Sequence, residues 1–426
     1  MQQYKKQITK FSLLQWAFWS SWAIYGGYLV YYLTDMGYSN IEIGTIISVR
    51  TAMGLIGEPI LGYLSDIYNT NKLLFILGMI VIALVVLPFP YYNWWLILLA
   101  TAIIGFFWAP QQSILDSWIL KSSEKLAHNY GFMRAWGSLG FAIVVVIFGK
   151  ALDIFGWGIL FVAHAILLII TAIIAFYIHD APHYNEKPSN KNNIIDQEYK
   201  TEEKYNQDIN NKEINNQEKY YNDASINTEK VNRNPLILFK NIEYTMILIS
   251  SILVFIPANI IFIYLPNFIK GVGGTTTLLG IVLFLNAISE APIFFIGKKM
   301  LIKFKPIPLL LIATIFYLIR IIVVYEAVSQ INFLLFGVLQ SMSFGVLLIT
   351  ARFHINNLAP EHLKTTAQSV FTMSIFGIGG IFASLFGGAI MDIYGMTVLY
   401  RISVILSMTG IILMAVLLFY RKIQDE

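Results

Sequence analysis

Long apolar runs separated by short polar breaks recur along the 426 residues of this chain. About 20 residues of helix are needed to cross the roughly 30 Å hydrocarbon layer of a bilayer, and twelve runs reach that order of length. They lie near 11 to 34, 41 to 62, 73 to 90, 94 to 118, 131 to 150, 157 to 178, 241 to 268, 276 to 298, 307 to 325, 332 to 357, 367 to 390 and 397 to 420. A soluble fold is excluded on the same grounds: 57% of the residues are hydrophobic and 13% charged, about half the roughly 25% charge of a globular domain. Backbone groups in hydrocarbon find no water, so a segment that crosses must satisfy its own hydrogen bonds as a helix. The expected fold class is therefore an all-α membrane protein with twelve transmembrane helices. The first run follows Lys5, Lys6 and Lys10, but it is too long for a signal-peptide core and lacks a small-residue cleavage site, so it should stay attached.

Charge sets the orientation. With the N-terminus in the cytoplasm, Lys72, Lys121, Lys125, Lys298, Lys299, Lys303, Lys305, Lys364, Arg421 and Lys422 all fall inside; only Lys150, Lys270 and Arg401 fall outside. This bias places both termini in the cytoplasm of a cell whose inner, or plasma, membrane holds the protein. The stretch 179 to 234 differs from everything else: its 56 residues hold 8 Lys or Arg, 11 Asp or Glu and 13 Asn, with almost no apolar periodicity. Such a segment cannot bury enough surface to offset chain entropy, so the expected organisation is an N-terminal six-helix half (1–178), a flexible cytoplasmic linker (179–240) and a C-terminal six-helix half (241–426). A repeat supports the division. Phe148-Gly-Lys-Ala-Leu-Asp153-Ile-Phe-Gly156 returns as Gly387-Gly-Ala-Ile-Met-Asp392-Ile-Tyr-Gly395, with Gly149/Gly388, Asp153/Asp392 and Gly156/Gly395 each 239 residues apart. Glu58-Pro59 and Glu290-Ala-Pro292 form a second, weaker pair before Gly62 and Gly297. Two six-helix halves joined by a polar linker are a plan used by alternating-access transporters. The chain has no cysteine, which excludes thiolate chemistry and cysteine-held metals, and no phosphate-binding G-x-x-x-x-G-K-[ST] loop, which leaves ion gradients to drive any transport.

The stretch 62-GYLSDIYNTNK-72 resembles the cytoplasmic loop signature of the major facilitator superfamily: Gly62 and Asp66 match, Ile67 and Asn69 depart, and Lys72 alone supplies the positive charge. The stretches 58-EPILGYLSD-66 and 130-YGFMRAWGSLGF-141 are similar to the branch holding lactose permease, phenylpropionate-type permeases and nucleoside-proton symporters. Further matches are 14-LQWAFWSSW-22, 290-EAPIFF and 317-YLIRI-321. The resemblance implies two pseudo-symmetric halves and assigns Gly62, Asp66 and Lys72 to a loop that gates conformational change. In lactose-permease-like proteins an acid and an arginine spaced as Asp116 and Arg134 are bind sugar hydroxyls, and an aromatic seven residues on, here Phe141, stacks on the ring. An intramembrane arginine matching Arg320 belongs to their proton-coupling group. Where lactose permease has a histidine and a glutamate in span ten, this chain has Gln340 and Ser343, and its eighth-span glutamate aligns better with Asn286 than with Glu290.

The residues themselves carry part of this case. A charge at the centre of a membrane helix costs about 2.5 to 3.5 kcal/mol even on lenient scales, so each one is a functional candidate. Asp116 and Arg134 stand 18 residues apart across a hairpin, which can set them at one depth as a substrate clamp or as an ion pair pinning two helices. A carboxyl withdrawn from water holds its proton more readily, which makes Glu290, about two turns inside its span, the first candidate proton carrier and Glu58, nearer the surface, the second. Arg320 is either part of that machinery or a snorkelling side chain. Arg50 sits mid-span without an evident partner, Glu58 being eight residues on and about 80° round the helix. Trp16, Trp19 and Trp22 recur every third residue; Trp22 and Tyr25, nearest mid-span, are the expected cavity aromatics.

These readings converge on a secondary active transporter working by alternating access. The substrate expected is a sugar, oligosaccharide or nucleoside taken up with protons, one charge across 100 mV being worth about 2.3 kcal/mol, or roughly fiftyfold accumulation of a neutral solute. The rivals are a drug or aromatic-acid carrier and a membrane sensor that binds without transporting. No enzymatic constellation is evident. The expected partners are a small-molecule substrate, protons and the lipid bilayer, with a monomeric chain, no cofactor, no metal and no nucleic acid.

Overall fold

The computed structural model describes residues 2–68, 70–180, 235–360 and 363–425. Most of the expected linker, residues 181–234, lies outside the described residues, as does Asn69 of the loop signature. The described chain is helical almost throughout: α1 Gln2–Asp35, α2 Asn40–Ile67, α3 Asn71–Val86, α4 Trp94–Ser122, α5 Tyr130–Phe155, α6 Leu160–Phe176, α7 Ile242–Gly271, α8 Thr276–Lys303, α9 Pro306–Tyr325, α10 Gln330–Leu358, α11 at 364–394 and α12 at 396–425. Eight stretches are long and apolar enough to cross a membrane by length and composition, the α11–α12 pair counting as one of them, while α3 has 16 residues. Helix starts follow local chemistry. Ser39 and Glu42 form a capping box for α2, Thr70 Oγ1 accepts from the Leu73 amide at α3, and Asn93 and Asn241 cap α4 and α7. A single-turn helix, Glu124–His128, makes the link between α4 and α5.

α1 packs along α5 and α6, α2 along α4, and α3 along α4 and α6; in the second set α12 and α11 lie against α7 and α9. The first six helices meet the last six along two seams, α5 with α8 and α2 with α11. These seams carry the sequence repeat. The N-cap residue of α8, Thr275, makes no side-chain cap of its own, and Asp153 of α5 supplies one: its carboxylate accepts from the Thr276 and Thr277 amides (both 3.1 Å) and from the hydroxyls of Thr275, Thr276 and Thr277 (2.8, 2.5 and 2.5 Å). On the other seam Asp392 accepts from the Ile41 amide (2.8 Å) and Asn40 Nδ2 (2.6 Å) at the start of α2. Each carboxylate meets the positive end of a partner helix. The glycines repeat for cause as well. A Cβ on Gly149 would stand 2.6 Å from Thr276 O and one on Gly388 2.2 Å from Asn40 O, while Gly156 and Gly395 end their helices at φ 70° and 79°. Tyr28 and Tyr264 complete the match by donating to Val145 O (2.5 Å) and Ser384 O (2.7 Å).

The hydrogen bonds that join the first six helices to the last six, among the described residues, gather at this end of the bundle. Besides the aspartate caps, Tyr31 donates to Gly274 O (3.1 Å), Thr34 to Asn267 Oδ1 (2.9 Å) and Asn267 Nδ2 to Asn40 Oδ1 (2.5 Å), and Lys270 pairs with Asp35. At the opposite, lysine-rich end the bonds run within each set. Asp66 pairs with Lys121 (2.9 Å), Lys72 donates to Phe176 O (2.7 Å), and buried Glu243 accepts from His354 (2.6 Å) and from Arg421. Gly62 has open space about it.

Candidate substrate-binding cavity

The helices separate around a cavity between the two sets. A vestibule of about 1120 Å³, lined by Glu58, Arg50, Arg352, Asn356, Thr365 and Gln368 among others, runs from the lysine-rich end inward to Trp22 and Trp108. There it meets a deeper chamber of about 460 Å³ that draws its walls from both sets, Trp19, Trp22, Arg134 and Phe141 on one side and Asn259, Glu290, Tyr317 and Arg320 on the other. A smaller space toward the sealed end shares Trp22, Phe141 and Arg50.

Two local features aim polar groups into the chamber. Within α10, residues Ser341–Gly345 form a π-helical turn, and Gln340 just before it and Ser343 within it are the side chains by which α10 reaches Glu290 and Arg320. In α8, Pro292 two residues after Glu290 lacks the amide that an unbroken helix would use. Gln340 Nε2 donates to Glu290 Oε1 at 2.7 Å. Arg320 is 5% exposed and does not snorkel. Its Nη1 donates to Ser343 Oγ (3.1 Å), its Nε to Phe336 O (3.2 Å) and its Nη2 reaches Asn286 Oδ1 (3.5 Å), with the guanidinium 4.0 Å above the Phe336 ring. The three positions at which the sequence departs from lactose permease, Asn286, Gln340 and Ser343, are thus the direct partners of Glu290 and Arg320. Glu290 and Arg320 face the same chamber without a direct ion pair.

On the opposite wall Arg134 lies 4.3 Å over the Trp19 ring, and its Nη1 has no acceptor. Asp116 is not its contact partner. Its carboxylate accepts from Gln112 Nε2, one turn earlier on α4 (2.6 Å), and from Gln15 Nε2 of α1 (3.3 Å), with Tyr130 standing between the acid and the arginine. In place of the ion pair or paired clamp, the hairpin brings the two residues close enough for Arg134 to feel Asp116, but Asp116 is bonded toward α1 and is not in the chamber lining. Trp22 and Phe141 line the chamber, and Trp22 stacks on Trp108 at 4.6 Å. Tyr25 does not. It is fully buried in the first set, stacked on His164 at 5.1 Å with Phe89 at its edge. Each three-residue step moves a helical side chain back by about 60°, so the row Trp19, Trp22, Tyr25 walks off the cavity face. Trp19, which the sequence reading placed in the row but did not choose for the cavity, and Trp108, hidden in an apolar run, are among the site aromatics that reading passed over. Glu58 lines the vestibule, and Gly62, Asp66 and Lys72 lie beyond it at the lysine-rich end.

Comparison with known proteins agrees with this architecture. The MFS_1 like family matches residues 8–402. Maltose permease of Geobacillus stearothermophilus is 23% identical over 390 residues, covering 91% of this chain and 88% of the permease. The uncharacterized transporter YwbF of Bacillus subtilis (strain 168) is 22% identical over 382 residues, 89% of this chain and 85% of the relative. Among solved structures, the nucleoside transporter NupG superposes with a TM-score of 0.73 at 15% identity, covering 97% of this chain and 98% of NupG, and a D-xylose-proton symporter with 0.66 at 13%, covering 96% of each. At such identities the superpositions speak for the fold, and the match over residues 8–402 speaks for descent: this chain belongs to the MFS_1 like family and is a multi-pass membrane transporter of the major facilitator superfamily, with permeases and not enzymes as its relatives.

Proposed function

We propose that this transporter carries a sugar, oligosaccharide or nucleoside into the cell together with protons, by alternating access around the chamber at Trp22. One observation carries the reading: Glu290 bonds to a neutral amide, Gln340, and not to the nearby Arg320, inside a chamber whose other groups suit a polar ring. A carboxylate locked to a guanidinium would be held ionised, whereas an amide partner leaves it free to take up and release a proton as access changes. Trp19, Trp22 and Phe141 offer faces for stacking, and Trp19 Nε1, Arg134 Nη1 and Asn286 Nδ2 are donors with no acceptor in the structure. The activities for which the relatives are named, maltose, nucleoside and xylose-proton transport, support the same class. Positive-inside charge makes the lysine-rich end cytoplasmic, so the structure stands in its inward-open state with the outer end sealed. In this reading 179–240 is a cytoplasmic tether between the halves, and Glu58 is the reserve proton site.

Uptake by proteoliposomes with an imposed pH gradient tests the proposal across disaccharides, nucleosides and aromatic acids. One pH unit supplies about 1.4 kcal/mol, tenfold accumulation with one proton. Glu290→Gln keeps the side chain's size and hydrogen bonding but cannot release a proton. It should retain substrate binding and exchange while losing accumulation against a gradient. Wild-type accumulation by this variant would remove Glu290 as the carrier and pass the test to Glu58.

A further inference from the structure

The charges lining the cavity do not balance. Among the described residues that face the vestibule and chambers, four are arginines, Arg50, Arg134, Arg320 and Arg352, and two are acids, Glu58 and Glu290. Two of the four have an acid nearby: Arg134 feels Asp116 and Arg320 feels Glu290. Arg50 does not. Its guanidinium lies 5.2 Å over the Trp22 ring and makes no hydrogen bond or ion pair among the described residues, and the titratable group that acts on it is the neutral phenol of Tyr25. Glu58 shares its helix and its vestibule but points about 80° away round the axis. Its backbone is held against α4, where a Cβ on Gly105 would stand 2.2 Å from Arg50 O, so the side chain starts from a fixed place on the vestibule wall. An arginine stays protonated, so this is a fixed positive charge between the vestibule and the innermost space, beside the ring that both share. The donors Arg134 Nη1, Asn286 Nδ2 and Trp19 Nε1, which have no partner, show that the chamber is also short of hydrogen-bond acceptors.

We infer that Arg50, beside Trp22, forms an anion subsite, and that the transported solute is a glycoside or nucleoside bearing a carboxylate or phosphate group. The inference rests on the transport reading above and adds a charge to its substrate. The ring occupies the chamber between Trp22 and Phe141, and the anionic group lies over Arg50, whose planar fork can hold either oxyanion through two parallel hydrogen bonds. A cavity with surplus positive charge also concentrates anions and repels cationic solutes at its mouth.

Binding to the full-length protein in lipid nanodiscs, read by tryptophan fluorescence and calorimetry, tests this with p-nitrophenyl glucoside, its glucuronide and its 6-phosphate. At least one anionic glycoside should bind tenfold or more tighter than the neutral glucoside, and which one does so separates carboxylate from phosphate recognition. Arg50→Gln should collapse that ratio to near one, and Arg50→Lys, which restores the charge, should recover part of it. Equal affinity for neutral and anionic probes in the wild type, or a ratio that survives Arg50→Gln, overturns the subsite. Should no glycoside bind, benzoate against benzyl alcohol repeats the comparison. A benzoate preference lost in Arg50→Gln keeps the subsite and removes the sugar reading, whereas no preference removes the subsite.

Discussion

Arginine, not aspartate, organises the cavity at the level of single residues. Arg134, Arg50 and Arg320 each lie over an aromatic ring, at 4.3, 5.2 and 4.0 Å from Trp19, Trp22 and Phe336, an arrangement that uses the flat guanidinium face and leaves the edge for hydrogen bonds. Lysine has no such face. Arg134→Lys should therefore insert and fold normally yet bind substrate at least tenfold more weakly, measured by direct binding; near-normal affinity in both Arg134→Lys and Arg134→Ala would make this residue a packing element. Around Arg320 the prediction concerns an acceptor. Asn286 is 6% exposed and its Oδ1 takes the Nη2 of Arg320, so Asn286→Leu leaves a buried charged donor unmet. The expected loss is about 1 to 3 kcal/mol, shared between thermal stability and substrate affinity, while Asn286→Asp, which supplies a charged acceptor, should be tolerated. A melting curve with and without substrate separates the two contributions, and an unchanged Asn286→Leu would mean Phe336 O and Ser343 alone hold the arginine.

The element scale shows what the sequence could and could not reveal. Helix positions were legible because hydrocarbon imposes a minimum length and polar caps such as Ser39 with Glu42 or Asn241 mark the starts; most predicted spans fall within a few residues of the helices observed. Proximity across the α4–α5 hairpin was legible too, since Arg134 feels Asp116 through space. Azimuth was not. Tyr25 and Asp116 both went astray because a few tens of degrees round a helix decide between cavity and core, and the π-helical turn at Ser341–Gly345, which resets the azimuth of α10, leaves no mark in hydrophobic periodicity. The repeat at Asp153 and Asp392 was visible as a pattern whose purpose appeared only when each carboxylate proved to cap a helix of the other set. That purpose can be tested. Loss of an N-cap costs typically about 1 kcal/mol, so Asp153→Ala or Asp392→Ala should weaken the sealed end and shift the balance between open states by roughly fivefold. With no native cysteine, single cysteines placed at the sealed end report directly, their alkylation rate rising in either variant. Unchanged labelling in both would mean that the glycine contacts and the Asn267 bonds suffice to hold the seal.

The whole molecule is two helix sets that touch through hydrogen bonds at one end and enclose a cavity at the other, with a single covalent connection between them. The ends of that connection lie on the same side of the bundle. Asp180 accepts from Thr70 and the Lys72 amide beside the lysine-rich loop, and Pro235–Lys240 leads into α7 where Glu243 meets His354 and Arg421. The intervening residues 181–234 are rich in Asn, Lys and Glu, with their few apolar residues scattered and without helical periodicity. If their task is only to keep the sets together, length should matter little: half of them, about 27 residues, could still extend to roughly 90 Å, far more than two points at one end of a helix bundle require. The entropy of holding the ends together changes by only about 0.6 kcal/mol for each halving of length. Deleting about half of 181–234 should therefore leave membrane insertion and initial uptake rates within roughly twofold of wild type, and replacing the removed part with a Gly/Ser sequence should change neither. A deletion that inserts at normal levels but does not transport, and that the Gly/Ser replacement fails to rescue, would give the segment's own sequence a role in the transport cycle.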